Sequence, residues 1–285
     1  MPPAPRDMAA DVLVVEDVEV EESTPAGGVI SVWTLNRPDK LNSLNSKSHQ
    51  AIKQQCIRVE SDDQVRCVVI RGAPPPDPEE GKRPKPFAFA AGADISEFAG
   101  KDSDDVRPFF EENAWEAVWN ISKPTIAMID GFALGGGTEL ALSCDIRIAS
   151  GRSKFGQPEI NLGLIPGGGG TQRLCRLIGY GRTMEIVLSG GMVSAEEALQ
   201  MGIVNRIVPH DHLDSETMAL AQEISLKSPY TTKVAKRVVR AALDMPFSQG
   251  ILVERSEFVA LFDTEDKEIG VRSFLEKSNP EWRGR

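Results

Sequence analysis

The sequence predicts an α/β protein whose core of alternating short strands and helices continues into a helical C-terminal part. Three observations carry this. Apolar, β-branched runs at Val29–Leu35, Val65–Arg71, Thr125–Asp130 and Asp145–Ala149 are separated by segments of helical spacing, as in an α/β core. After Val208 the strand signals stop, and Leu213–Leu226, Thr231–Leu243 and Gln249–Phe262 all carry helical spacing. Glycine-rich segments at Gly131–Gly137 and Gly167–Gly170 stand immediately before predicted helices. The expected division is a disordered tail over residues 1–11, a core with the functional site over 12–208, and a helical region over 209–285.

In chain order, Val12–Val20 mixes apolar and acidic residues as a half-exposed strand does. Pro25-Ala26-Gly27-Gly28 is a turn, so Val29–Leu35 closes a hairpin with it. Asn36–Lys40 is a loop. Ser46–Ser61 has helical spacing, with Ile52, Cys56 and Val59 on one face. Val65–Arg71 is a run suited to a strand buried on both faces. Residues 73–86 are too rich in proline for a helix or an interior strand and are expected to be a mobile surface loop. Phe87–Ala91 returns to the core, and Val106–Ile121 is expected to be one helix ending before Lys123-Pro124. Gly131–Gly137 is expected to be a tight loop after the strand at Thr125, leading into a helix at Thr138–Ser143.

Composition narrows the function. Of 285 residues 41% are hydrophobic, as in an ordinary soluble globular protein, and the net charge of −10 argues against nucleic-acid binding. Cys56, Cys67, Cys144 and Cys175 show no CxxC spacing and read as reduced, buried thiols. His49, His210 and His212 are too few and too scattered for a metal site, and His210-Asp211-His212 reads as a solvated loop. The first ten residues hold three prolines and no apolar stretch of a secretory leader. No apolar run is long enough to span a bilayer, so a cytoplasmic protein is expected.

The chemistry concentrates in two acids. Glu139 follows Gly131-Phe132-Ala133-Leu134-Gly135-Gly136-Gly137-Thr138, and Glu159 follows Phe155-Gly156-Gln157-Pro158. Glycine lets a backbone approach a ligand closely because no Cβ stands in the way. A loop running into a helix also presents unpaired N–H groups at the positive end of the helix dipole. A carbonyl oxygen placed there is stabilised as it gains negative charge, which is oxyanion-hole logic. Two acids nearby can move a proton between water and carbon. Taken alone, Glu139 reads first as a first-turn acid complementing the dipole.

The run Gly167–Gly170 before Thr171-Gln172-Arg173 suggests close backbone approach or an anion seat, or else a turn with Thr171 as helix cap. Phe89-Ala90-Ala91-Gly92-Ala93-Asp94-Ile95 reads alone as a core turn with Asp94 capping the next helix. Neither glycine loop is a Walker A motif, and neither fits GxGxxG after a strand. Phe109, Phe110, Trp115 and Trp119 suit an acyl-pocket wall or ordinary packing.

Together these segments resemble the enoyl-CoA hydratase/isomerase (crotonase) superfamily. The resemblance runs from about Val29 to Lys277 through five stretches in order: Leu35-Asn36-Arg37-Pro38 with Leu41-Asn42, Phe89–Ile95, Gly131–Glu139, Phe155–Glu159 and Ile165–Leu174. It implies a crotonase-like spiral of ββα units with a helical C-terminal region that builds homotrimers, commonly paired into hexamers. It implies an acyl-CoA thioester substrate, with coenzyme A part of the substrate and no further cofactor or metal. Glu139 and Glu159 match the catalytic acids, and Ala93 and Gly136 match the residues whose backbone N–H groups form the oxyanion hole. Coenzyme A is expected against Lys40, Leu41, Ala91, Asp94 and Ile95. Phe258 and Lys277 match positions that reach the coenzyme A of a neighbouring subunit.

Isomerases of the superfamily usually keep the acid matching Glu159 and lose the one matching Glu139. Keeping both therefore points to hydration of a 2-enoyl-CoA to the 3-hydroxyacyl-CoA, as in β-oxidation or related acyl-CoA degradation. An isomerase, another crotonase-type lyase and a non-catalytic acyl-CoA-binding protein are the alternatives on the same scaffold. The proline-rich loop at 73–86 looks longer than is usual for the family.

Overall fold

The computed structural model describes residues 12–20, 27–78, 80–81 and 83–285. The tail expected at residues 1–11 and the first half of the turn expected before Val29 lie outside them.

The strands are β1 (Leu13–Glu19), β2 (Val29–Leu35), β3 (Val65–Gly72), β4 (Ala88–Ala90), β5 (Thr125–Ile129), β6 (Phe132–Leu134), β7 (Ile146–Ser150), β8 (Lys154–Gly156), β9 (Met192–Ser194) and β10 (Arg206–Val208). They form two sheets, in the orders β1-β2-β3-β5-β7-β10 and β4-β6-β8-β9. The expected β1/β2 hairpin pairing is present and antiparallel. From β2 to β10 the larger sheet is parallel. The chain alternates between the sheets: β3, β5 and β7 enter the larger one, and β4, β6 and β8 follow in the smaller. This is a repeated two-strand step, with helices between repeats. Because β4, β6 and β8 run parallel, the segments that follow them, at Ala91–Ala93, Gly135 and Gln157–Glu159, leave the smaller sheet on one side.

The helices are α1 (Ser46–Ser61), α2 (Ser103–Glu111), α3 (Ala114–Asn120), α4 (Gly136–Ser143), α5 (Gly170–Ile178), α6 (Tyr180–Ser189), α7 (Ala195–Met201), α8 (Leu213–Ser225), α9 (Pro229–Ala241), α10 (Phe247–Ala260) and α11 (Glu265–Glu276). Several starts are written locally. Asn45 caps α1 by accepting from Ser48 N–H, and Ser194 with Glu197 makes a reciprocal capping box on α7.

The larger sheet is covered on both faces, which explains its uninterrupted apolar runs. Alternate residues of β3 divide accordingly: Val68 and Ile70 join the main core with Trp33, Phe89 and Trp115, while Cys67 and Val69 face a second cluster with Leu213 and Ala221 of α8. The first helix beyond residue 208 is therefore packed on the sheet, whereas α10 buries none of its residues.

Four expectations are corrected. The helix expected over Val106–Ile121 is two helices, because Asn113 caps a fresh start by accepting from Glu116 N–H. Gly131–Gly137 is not loop throughout: Phe132–Leu134 pairs with β4 and β8 as a strand. Thr171 is not a cap, since α5 starts at Gly170 after a left-handed Gly169. The C-terminal region has a further helix, α11, whose start Thr264 caps. The 73–86 segment, in its described residues, has neither helix nor strand, and Lys85 Nζ donates to Asp39 O at 2.9 Å.

Candidate active site

Two backbone segments meet at the start of α4. Gly135 adopts φ +50° and ψ −125°, a conformation glycine tolerates and other residues rarely do. This aims the first turn of α4 across the smaller sheet. A Cβ on Gly136 would lie only 3.5 Å from the Ala93 nitrogen, and one on Gly137 would strike Ala90 O. Ala93 itself is held by a parallel bridge to Leu44: Leu44 N–H donates to Gly92 O and Asp94 N–H donates to Leu44 O, both at 2.8 Å. In extended chain the intervening N–H points to the opposite side. The Ala93 N–H therefore faces away from Leu44, beside the unpaired first-turn N–H of Gly136.

The loop holding Leu44 is built by Asn42. This buried side chain accepts from Arg37 N–H at 3.0 Å and donates to Ala73 O at 2.9 Å and Ala88 O at 2.8 Å. Leu41 O accepts from Ala91 N–H at 3.0 Å, so the segments expected to meet coenzyme A are bonded to one another. Lys40 is exposed on the same turn, and Ile95 is exposed just after Asp94. The Asp94 carboxylate pairs with Arg37 at 2.7 Å and caps the short turn over Ile95–Glu97. Its hydrogen bonds from Ser96 Oγ and Arg37 hold it below the ordinary aspartate range.

Glu139 lies in the first turn of α4 and is 2% exposed. Its Oε1 accepts the backbone N–H groups of Gly168 at 2.7 Å and Gly170 at 2.8 Å. The anion seated on the four-glycine loop is thus this protein's own carboxylate. Burial pushes Glu139 above the ordinary glutamate range, while those two N–H groups and Arg173 pull the other way.

Glu159 sits against the Gly135 turn. A Cβ on Gly135 would come within 2.7 Å of Glu159 Oε1. Burial, with a further push from the Glu139 charge, raises Glu159 to about 7 against its own backbone N–H. Gln157 is fully buried beside it. With its amide nitrogen turned to Glu159 it donates to both carboxylate oxygens at 3.1 Å. The structure therefore brings Ala93, Gly136, Glu139 and Glu159 around one turn.

Phe258 and Lys277 lie elsewhere, on the exposed C-terminal helices. Phe258 is 61% exposed and packs edge-on against Phe262, and Lys277 ends α11 in a left-handed conformation. Of the aromatic set, Trp115 is buried, stacks with Phe110 and donates from Nε1 to Gly136 O at 2.8 Å. Trp119 instead lies under the guanidinium groups of Arg173 and Arg240. Sequence reasoning gave no role to Gln157, although its place two residues before Glu159, in a glycine- and proline-shaped turn, was the available signal.

The sequence model of the family described as Enoyl-CoA hydratase/isomerase matches residues 25–285. The chain belongs to the enoyl-CoA hydratase/isomerase family. A relative from Mycobacterium tuberculosis, named "Probable enoyl-CoA hydratase echA8", is 40% identical over 258 residues, covering 90% of this chain and 95% of that protein. The short-chain-enoyl-CoA hydratase of Clostridium acetobutylicum is 36% identical over 252 residues, covering 88% and 92%. Among solved structures, an enoyl-CoA hydratase from Bacillus anthracis superposes with a TM-score of 0.83 at 32% identity, covering 95% of this chain and 99% of that one. Among the described residues no helix is long and apolar enough to cross a membrane.

Proposed function

We propose that this enoyl-CoA hydratase/isomerase family member is a hydratase, adding water to a 2-enoyl-CoA thioester to give the 3-hydroxyacyl-CoA. The observation that carries the reading is the pair of carboxylates, Glu139 and Glu159, flanking the turn that presents Gly136 N–H beside Ala93 N–H. In this reading the thioester oxygen accepts both N–H groups, which polarises the conjugated double bond and stabilises the enolate as it forms. Water lies between the carboxylates. Its oxygen bonds to the β-carbon as Glu139 takes its proton, and protonated Glu159 donates to the α-carbon on the same face. The acid pair begins and ends with one proton in all, and the site resets by proton transfer between them.

Coenzyme A is assigned to the bonded segments at Lys40, Leu41, Ala91, Asp94 and Ile95. A homotrimer, or a hexamer of two trimers, is supported by the C-terminal helices. Phe247, Phe258, Phe262 and Phe274 are each more than half exposed there, an apolar surface that a lone soluble chain rarely displays. In that assembly Phe258 and Lys277 would serve the neighbour's coenzyme A. The four free cysteines support a reducing, cytoplasmic setting.

The test follows the enoyl-thioester absorbance with crotonyl-CoA beside a medium-chain enoyl-CoA. Loss of absorbance in wild type, abolished in Glu159→Gln and Glu139→Gln with acyl-CoA binding kept, is the expected result. Near-wild-type rates in both variants would remove the assigned roles.

A further inference from the structure

The two glycine loops carry no side-chain helix cap; Gly135 N–H donates to Gly156 O at 2.9 Å, and Arg173 Nη1 donates to Gly168 O at 2.6 Å. Gly135 and Gly169 precede α4 and α5, both with positive φ. Glycine segments of this kind have the largest conformational freedom to lose. Besides Glu139, the Trp115 side chain touches both. A Cβ on Gly136 would meet Trp115 Cζ2 at 3.0 Å, and one on Gly168 would meet the indole at 2.4 Å from Cδ2. The same indole donates from Nε1 to Gly136 O at 2.8 Å. Gly168 in turn gives its N–H to Glu139 at 2.7 Å.

We propose that Trp115 is a positioning residue: its indole is a rigid spacer that fixes the distance between the Gly136 N–H and the Glu139 carboxylate. The inference rests on the hydratase reading and deepens it. An indole suits the task because it is large, rigid and able to spend its only donor on one carbonyl. The ring is itself braced, edge-on by His49 at 4.6 Å and stacked by Phe110 at 6.0 Å between centroids. The spacing matters because a misplacement of about 1 Å at a reacting site can cost roughly 10²-fold in rate.

The experiment compares wild type, Trp115→Phe and Gly168→Ala, the last pushing a methyl group against the indole. Each is assayed for hydration, and a bound conjugated dienoyl-CoA is examined for the red shift that carbonyl polarisation produces. Expected in both variants is a fall in kcat of about tenfold or more, KM within about twofold, and a smaller red shift per bound ligand. If Trp115→Phe does not fold, Gly168→Ala alone carries the test. Wild-type kcat and red shift in the variants would overturn the inference. So would a loss of activity matched only by fewer folded binding sites, with the red shift per bound ligand intact. A wild-type protein that neither hydrates enoyl-CoA nor shifts the dienoyl band would instead remove the hydratase reading, and this inference with it.

Discussion

Glu139 accepts the backbone N–H of Gly170 at 2.8 Å across 31 positions of sequence. The bond ties the first turn of α4 to the first turn of α5 and fixes a carboxylate that would otherwise have several rotamers. It is possible only because residue 170 has no side chain. A Cβ there would stand 3.0 Å from Glu139 Oε1 and 2.4 Å from the Gln157 amide. Gly170→Ala should therefore lower kcat by about tenfold or more, through misplacement of both acids, with a much smaller effect on KM. Steady-state kinetics on crotonyl-CoA measures this, and unchanged kcat would refute it.

The pH dependence follows from the shared proton. Glu159 is raised to about 7 and Glu139 is also raised, so one proton stays on the pair up to near neutrality. The working state is singly protonated in both directions of the reaction. kcat/KM for hydration and for dehydration should fall together as pH rises through about 7. In Glu139→Gln the repulsion on Glu159 is gone, so any residual activity should lose its high-pH limb at lower pH. Rates flat to strongly alkaline pH would contradict this assignment.

Asn42 should matter for stability. It is buried, sits at φ +55° and makes three hydrogen bonds to backbone, at Arg37 after β2, Ala73 after β3 and Ala88 at the start of β4. Asparagine tolerates that left-handed conformation better than alanine does. Asn42→Ala leaves Ala73 O and Ala88 O without this donor and should cost about 2–4 kcal/mol, read by denaturant unfolding. A cost under about 0.5 kcal/mol, typical of an exposed substitution, would show the clamp to be dispensable.

His49 provides an acid-side test. Its Nδ1 accepts from Ala114 N–H at 3.2 Å, Nε2 is buried without a partner among the described residues, and burial lowers the ring to about 3. A histidine lowered in the fold stabilises it above its unfolded value near 6.5, and that contribution is lost as pH falls from there towards 3. The raised Glu159 acts with the opposite sign, favouring the fold as pH drops through 7. The difference between variants isolates the histidine. His49→Asn should lose less Tm than wild type between pH 6.5 and about 4.5, where few ordinary carboxylates titrate. Identical slopes would rule out the assignment.

The alternation of strand and helix, the helical C-terminal part and the Ser46–Ser61 helix, to the residue, were readable from sequence. Each rests on a period or a cap within a few neighbours. The two glycine segments and their acids were readable too, because a backbone without Cβ atoms is conspicuous in any sequence. The three-residue strands β6, β8 and β9 were not, since a strand so short exists through its partners rather than through its own pattern. The break at Asn113 was not either, since the helical spacing over Val106–Ile121 runs through it and only the structure shows Asn113 capping a fresh start. Above all, sequence offered an anion seat at Gly167–Gly170 and an acid at Glu139 without joining them. Only the tertiary fold decided that the seat holds that acid and that Trp115 lies between the loops. The hydrogen bonds responsible join residues 21 to 31 positions apart, the contact of the Trp115 ring with Gly168 reaches further still, and no local propensity encodes such a meeting.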